Sequence, residues 1–250
     1  MVSPIPSAAA VAALAPTDTL RVAVNMRNFL LVAGTDDAGN PDGVSPDMGR
    51  ALASSLGVDI ELVPFASPGD LADAARSGVW DIGNIGAAPK RAEHIAFTAA
   101  YCEIECTYLI PAGSAVESVD EVDQPGIRIA TSARSAYDLW LEANIRHAEL
   151  VQVVGADASF DIFVEQELDA LAGLRPRLLA DVESLPGARV LDGSFTTVQQ
   201  AMGTPRDRNP AGFEYLSAFV EDAKATGLVR SLIDKHGVAG RLTVAPPQGG

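Results

Sequence analysis

The alternation of short apolar segments with amphipathic segments restricts this chain more than any other feature of its sequence. From Leu20 to Ile82 the order is strand, helix, strand, helix, strand. Met48, Leu52 and Leu56 recur at helical spacing and mark the first helix, since Gly57 then ends it. Short crossovers of this kind join parallel strands and place helices on the sheet faces. The sequence therefore predicts an α/β fold.

The alternation returns in a second half of the chain. A breaker segment at 111–114 ends a long strand-like run, and strands and helices then alternate again from 126 to 173. We expect two lobes with flexible ends: lobe 1 at 18–109 plus 195–240, lobe 2 at 112–192, and loose segments at 1–17 and 241–250.

Charge and composition narrow the class of partner. The chain has 250 residues, 48% of them hydrophobic, and a formal net charge of -15. The negative charge argues against nucleic acid and against anionic membrane surfaces, although local arginines can still bind a small anion. No apolar run is long enough to span a bilayer, so direct membrane insertion is not expected.

The cellular location depends on the first residues. Residues 7–16 resemble the end of a secretory signal, but no Lys or Arg precedes Arg21 to form a positive n-region. Either a signal has been trimmed from a periplasmic protein, which is the reading we adopt, or the protein is cytoplasmic with an alanine-rich arm.

The stretch Trp80–Phe97 has the composition of an anion-binding segment. A short strand at Trp80–Ile82 precedes a predicted small-residue turn at Asn84–Ala88, and Pro89 then opens a helical turn. Free backbone N–H groups at such a turn attract an anion. Arg91 adds a planar fork that matches a carboxylate.

Five motifs in order resemble the type II periplasmic solute-binding proteins, in particular the amino-acid-binding family of ABC importers (bacterial extracellular solute-binding proteins, family 3). The resemblance covers Leu20 to Gly237. The motifs are Gly43–Met48, Leu56–Pro64, Gly78–Ile82, Ala88–Ala92 and Ile95–Tyr101.

The resemblance implies two mostly parallel α/β lobes joined by two crossing strands that act as a hinge. The ligand would bind in the cleft between the lobes, which close on it like a Venus flytrap. It also implies a monomeric transport protein that binds a small carboxylate-bearing solute and partners a membrane permease. No enzymatic activity, cofactor or metal is expected.

The resemblance also implies a set of ligand-binding residues. Arg91 falls on the family's carboxylate-binding arginine, and Ser135 and Ala136 fall at the start of a helix whose N–H groups assist it. Further candidates follow from position in the loop, after the first strand or near the crossings: Asn84, Ile85, Gly86, Arg134, Arg27, Asn28, Phe29, Tyr101 and Gln199.

Departures from the family pattern point to an unusual ligand. Gly86 replaces a hydroxyl residue, and Arg134 stands where a glycine is usual. Leu174 falls where amino-acid binders place the aspartate that pairs with the ligand's ammonium group, and Arg175 follows it. A buried ammonium without a partner is unfavourable by several kcal/mol. A dicarboxylate or keto acid therefore fits the sequence better than an ordinary α-amino acid.

Two alternatives use the same fold. The segment Asp123–Arg128 is similar to that of cyclohexadienyl dehydratases, but those enzymes carry an acidic residue where this chain has Leu174 to Arg177. An orphan solute sensor is the other alternative. Cys102 and Cys106 are expected to be buried free thiols, and His94, His147 and His236 to be surface residues.

Overall fold

A computed structural model gives the fold of the protein and describes residues 5–248. It confirms the mixed α/β class. Eight α-helices form within these residues: α1 (Ala8–Leu14), α2 (Val44–Leu56), α3 (Pro68–Asp73), α4 (Ala136–Asn144), α5 (Ala156–Glu165), α6 (Arg175–Asp181), α7 (Pro210–Ala225) and α8 (Leu228–Lys235).

Twelve strands accompany the helices in the described part of the chain. They are β1 (Thr19–Asn25), β2 (Gly34–Thr35), β3 (Pro41–Asp42), β4 (Asp59–Phe65), β5 (Ile82–Gly86), β6 (Ile95–Ile110), β7 (Arg128–Ser132), β8 (Glu149–Val153), β9 (Ala170–Leu174), β10 (Arg189–Val190), β11 (Thr196–Pro205) and β12 (Thr243–Val244).

The chain divides into two compact units. Unit 1 comprises residues 1–103 and 199–250, and unit 2 comprises residues 104–198. The chain therefore passes from unit 1 to unit 2 within β6 and returns within β11.

Unit 1 is built on a mostly parallel sheet. Strand β1 pairs in parallel with β4 and β5, and β11 adds to β5 in the antiparallel direction. Trp80 is fully buried. Its indole N–H donates to the carbonyl oxygen of Leu71 in α3 at 3.2 Å. Trp80 is therefore a core residue of unit 1.

Unit 2 repeats this arrangement with its own core. Strand β7 pairs in parallel with β8 and β9, and β6 runs antiparallel to β9. The predicted thiols are confirmed in both units, since Cys102 and Cys106 are free and buried.

The prediction of a turn at Asn84–Gly86 was wrong. These residues belong to β5, and all three are buried. Asn84 and Gly86 are paired with Met202 and Gln200 of β11. The local sequence of Asn84–Gly86 favours a turn, but pairing with β11, which lies more than a hundred residues later in the chain, makes this segment a strand. The predicted helical turn is a single 3-10 turn, Arg91–Glu93.

The N-terminal segment contains structure where a flexible end was expected. Residues 8–14 form α1, which packs on α7 and buries Ala10, Ala13 and Leu14. The Arg208 guanidinium donates to the Ala13 carbonyl oxygen at 3.1 Å. Near the other end, β12 pairs with β6. Residues 1–4 and 249–250 of the predicted loose ends lie outside the described residues.

A buried carboxylate joins several elements of unit 1. The Asp81 side chain is fully buried, and it accepts hydrogen bonds from Arg21 Nε and Nη2 at 2.9 and 2.8 Å and from Arg208 Nη2 at 2.6 Å. The hydrogen bond to Asp81 raises the pKa of Arg21 above its ordinary value. This network fastens β1 to the segment before β5 and to the segment that carries α7.

Candidate functional site

The carboxyl ends of three parallel strands form the candidate site of unit 1. Asn25 is opposite Phe65, and Val24 is opposite both Pro64 and Asn84, so β4, β1 and β5 end at one edge of the sheet in that order. Ligand sites of open α/β sheets lie at such edges.

Arg91 is held at the end of β5. Its Nη1 donates to the Gly86 carbonyl oxygen at 2.6 Å, and the residue is 6% exposed. The Ala87 N–H donates to the Gln199 carbonyl oxygen at 2.8 Å, which places Gln199 beside the same segment. The structure thus brings Arg91, Gly86 and Gln199 together.

Three further candidates follow β1. Arg27 is exposed and its Nε donates to the Ala66 carbonyl oxygen at 2.8 Å, just beyond the end of β4. Asn28 is buried, and its side-chain oxygen accepts from the Leu30 N–H at 3.2 Å. Phe29 is 40% exposed, although phenylalanine is among the residue types most often buried. Arg27 and Phe29 are therefore available at this edge, whereas Asn28 holds the loop.

Other predicted residues of unit 1 point into its core. Asn84 is buried, and its amide nitrogen donates to the Ser45 carbonyl oxygen at 3.0 Å. Ile85 belongs to the cluster of buried apolar side chains around Trp80. Tyr101 is fully buried, and burial raises the pKa of its phenol well above the ordinary value. These three side chains are therefore part of the buried interior of unit 1 and are not exposed at the strand ends.

In unit 2 the strands β7 and β9 are parallel, and β7 leads into α4. Ser135 caps this helix, since its hydroxyl accepts from the Asp138 N–H at 3.1 Å. The Asp138 carboxylate accepts a further hydrogen bond from the backbone N–H of Arg134 at 2.7 Å. The first backbone N–H groups of α4, beginning with that of Ala136, have no acceptor within the helix, as at the start of any α-helix.

Asp138 was not among the predicted residues. The pattern Ser135-x-x-Asp138 is a capping-box signal that could have identified it. Its side chain is buried and also accepts from Gln152 Nε2 at 3.0 and 3.1 Å. Burial raises the pKa of Asp138 above its ordinary value, although the hydrogen bonds from Gln152 and from the Arg134 backbone oppose that shift.

Arg134 adopts a backbone conformation that glycine tolerates best. Its φ is 62°, in the left-handed region. Arginine in place of the family's usual glycine at position 134 therefore has to adopt a backbone conformation that favours glycine.

Leu174 ends β9 and has an apolar environment. It packs with Ala136 against a cluster formed by Cys106, Tyr137 and Val198. Unit 2 thus places Leu174 and the start of α4 on the same cluster.

Arg175 is engaged within unit 2. Its Nε donates to Glu105 at 2.8 Å, Nη1 donates to the Leu191 carbonyl oxygen at 3.2 Å, and Nη2 contacts the Gly193 carbonyl oxygen. These contacts fix α6 to the segment after β10.

A charged cluster in unit 1 was missed because its members are far apart in sequence. His236 was predicted at the surface, but its side chain is only 5% exposed and its Nε2 is 2.8 Å from Asp47 Oδ2. Asp42 lies on the other side of the imidazole, 4.0 Å from Nδ1. These three side chains could approach one metal ion, but Lys235 and Arg50 already bind Asp47 at 2.7 and 2.9 Å. The cluster therefore fastens α8 to α2.

The fold and the strand-end site define a class of protein, an α/β solute-binding protein with the type II periplasmic fold. The chain belongs to the bacterial extracellular solute-binding proteins, family 3, whose profile matches residues 20–239. Comparison with the curated proteins found no match. Within residues 5–248, no helix combines the length and the apolar character needed to cross a bilayer.

Solved structures share the fold at low sequence identity. The solute receptor for L-cysteine of Neisseria gonorrhoeae is 18% identical, with a TM-score of 0.75 over 94% of this chain and 99% of that one. A putative ABC transporter binding component from Wolinella succinogenes, complexed with lysine, is 20% identical, with a TM-score of 0.72 over 88% and 95%. The ancestral amino acid-binding protein AncCDT-1, a precursor of cyclohexadienyl dehydratase, is 20% identical, with a TM-score of 0.70 over 90% and 98%.

Proposed function

We propose that this protein is the substrate-binding component of an ABC importer and that its solute is a small organic acid without an ammonium group. Membership of the solute-binding family supports the transport role. The choice of solute depends on the residues at the strand ends.

The observation that carries the proposal is that two arginines are anchored at the ends of β4 and β5, the strands that flank β1. Arg27 is bonded to the Ala66 carbonyl beyond β4, and Arg91 to the Gly86 carbonyl at the end of β5. Because β4 and β5 flank β1, these anchor points are two strand spacings apart, about 10 Å. A dicarboxylate would bind at this edge with one carboxylate on each guanidinium.

Leu174 supports the absence of an ammonium group. Its neighbours in the cluster of unit 2 are apolar, and Arg175, the next residue, is bonded to Glu105. An ammonium group beside Leu174 would therefore be desolvated without a counter-charge. A carbonyl or methylene group there carries no such penalty.

Amino acids are the main alternative solutes. The Neisseria protein is described as a receptor for L-cysteine, and the Wolinella protein is complexed with lysine. An amino acid could bind here if a carboxylate other than one at position 174 accepted its ammonium group.

A thermal-shift screen of dicarboxylates, keto acids and amino acids tests the proposal. A solute at 100 times its dissociation constant adds about 2.7 kcal/mol of stability, which raises the melting temperature of a chain of this size by about 5–10 °C. We expect shifts with dicarboxylates. Stabilisation by α-amino acids alone would overturn the choice of solute and leave the transport role intact.

The remaining predictions follow from the same assignment. A membrane permease is the expected partner, the expected location is the periplasm, the expected state is a monomer, and hinge closure is the expected response to ligand. An activity like that of cyclohexadienyl dehydratases is not proposed, and unchanged prephenate absorbance after mixing with the protein is the expected check.

A further inference from the structure

Unit 2 contains an apolar cavity of about 280 Å³. Its walls include Phe163, Leu168, Leu185 and Pro186. Phe163 and Leu168 belong to a cluster of buried side chains in the core of this unit, so the cavity extends inward from the surface. A dry apolar cavity of about 150 Å³ is large enough to bind benzene. This cavity therefore has room for one ring with a short chain.

The cavity is separate from the predicted ligand residues of unit 2. Leu168 and Asp169 line it and come directly before β9, whereas Leu174 ends that strand. Five residues of extended strand span about 13 Å from first to last. Because β7 runs parallel to β9, the start of α4 also follows the far end of the strands. The cavity thus opens at the edge where β9 begins.

Two carboxylates line the cavity, and only one of them is neutralised. Asp169 accepts from the Arg128 N–H at 2.8 Å and lies 3.4 Å from Arg128 Nε. Glu167 is exposed, and its carboxylate has no hydrogen-bond or ion-pair partner anywhere in residues 5–248. The rim of the apolar cavity therefore carries one unpaired negative charge.

The backbone of Glu167 is fixed on both sides. Its N–H donates to the Val164 carbonyl oxygen at 3.3 Å, and its carbonyl oxygen accepts from Arg128 Nη2 at 2.8 Å. Its φ of 49° lies in the left-handed region, which a glutamate adopts only when its surroundings hold it there. The carboxylate is therefore attached to a rigid point on the cavity rim.

We propose that this cavity is a second binding site, for a small organic ammonium ion with a compact apolar body. The body fills the space between Phe163 and Leu185, and the ammonium group binds the Glu167 carboxylate. Burial of the ring supplies affinity in proportion to its apolar area, and the charge-assisted hydrogen bond selects the cation. This site is independent of the proposed solute and of the strand-end residues.

The test uses 2-phenylethylammonium as the probe and the full chain as the protein. NMR titration of backbone amides should show shifts at 163–169 and 185–188, and the neutral analogue 2-phenylethanol should bind roughly tenfold more weakly. Glu167→Gln should weaken binding of the ammonium probe by a similar factor. Its matched control is Glu165→Gln, because Glu165 is an exposed carboxylate only two positions earlier in the chain that does not line the cavity.

A second variant tests the cavity rather than the charge. Ala112 is exposed and lines the cavity, so Ala112→Phe should fill the space and abolish binding of both probes while the other amide signals stay in place. Equal affinity for the charged and neutral probes, equal effects of the two glutamate variants, or shifts confined to other residues would each overturn the proposal.

Discussion

Arg91 Nη1 lies 2.6 Å from the carbonyl oxygen of Gly86, so the guanidinium is anchored to the last residue of β5. This hydrogen bond ties the position of the guanidinium group to the sheet. A carboxylate bound there meets a preorganised partner, which reduces the ordering that binding requires.

Replacing Arg91 with alanine should weaken solute binding about 100-fold, because a bidentate, charge-assisted contact is lost. The variant should also unfold with a free energy lower by about 1–3 kcal/mol, since the Gly86 carbonyl loses its side-chain donor. Calorimetric titration with the best solute of the screen and urea unfolding without solute separate these effects. Lys90→Ala, at an exposed neighbour, is the control and should retain binding. Full affinity in Arg91→Ala would remove the carboxylate contact from the proposal.

Replacing Leu174 with aspartate should give the protein measurable affinity for α-amino acids. The new carboxylate would stand at the end of β9 and supply the counter-charge that an ammonium group needs. Some loss of stability is expected because Leu174 packs on an apolar cluster.

Leu174→Asn is the matched control, since it has the same shape without the charge. The two variants should be equally destabilised without solute, and only the aspartate should respond to amino acids in the thermal-shift screen. A wild-type protein that already binds amino acids as well as the aspartate variant does would show that another residue accepts the ammonium group.

Much of the fold could be predicted because its signals are local. The helical spacing of Met48, Leu52 and Leu56 and the breaker at 111–114 correspond to α2 and to the end of β6. Asn84–Gly86 could not be assigned correctly, since its strand conformation depends on pairing with β11. His236 was missed for the same reason, because Asp47 lies 189 positions away in the sequence.

Asp81 should be the most sensitive carboxylate of unit 1. It is buried between two arginines, and Asp81→Asn would leave both guanidinium groups without their counter-charge. Removing one partner of such a buried network destabilises a protein by about 3–5 kcal/mol. Urea unfolding at neutral pH measures the loss, with Asp59→Asn as an exposed control that should change little. A loss below about 1 kcal/mol would show that the network is not a main contributor to stability.

Asp47 should make the stability of unit 1 depend on acid pH. Burial raises its pKa, but hydrogen bonds from Lys235, His236 and Arg50 outweigh burial, so the folded pKa lies below the ordinary value. The unfolded state then binds the proton more tightly. The stabilisation is present above about pH 4, the ordinary value for aspartate, and is lost as the pH falls through the lowered folded pKa.

Asp47→Asn should therefore be less stable than the wild type at pH 7 by about 1–2 kcal/mol, and the difference should shrink below pH 4. Urea unfolding at pH 7, 5 and 3.5 provides the comparison. A difference that is the same at all three pH values would indicate that packing, not the charge of Asp47, accounts for the effect.

The close approach of α1 to α7 should depend on Gly212. A Cβ atom at position 212 would lie 2.9 Å from the Ala13 Cβ and 3.1–3.2 Å from atoms of the Leu14 side chain. Both neighbours are buried in the contact between the helices, so Gly212→Ala should force α1 outward and lower the free energy of unfolding by about 1–3 kcal/mol. Removing the opposing methyl group in Gly212→Ala/Ala13→Gly should restore part of that loss, although glycine in α1 itself lowers helix stability by up to about 1 kcal/mol. Hydrogen exchange of the α1 amides, which should accelerate in the single variant and slow again in the double variant, links the change in stability to this helix. If Gly212→Ala alters neither the stability nor the exchange, the docking of α1 does not require glycine at this position.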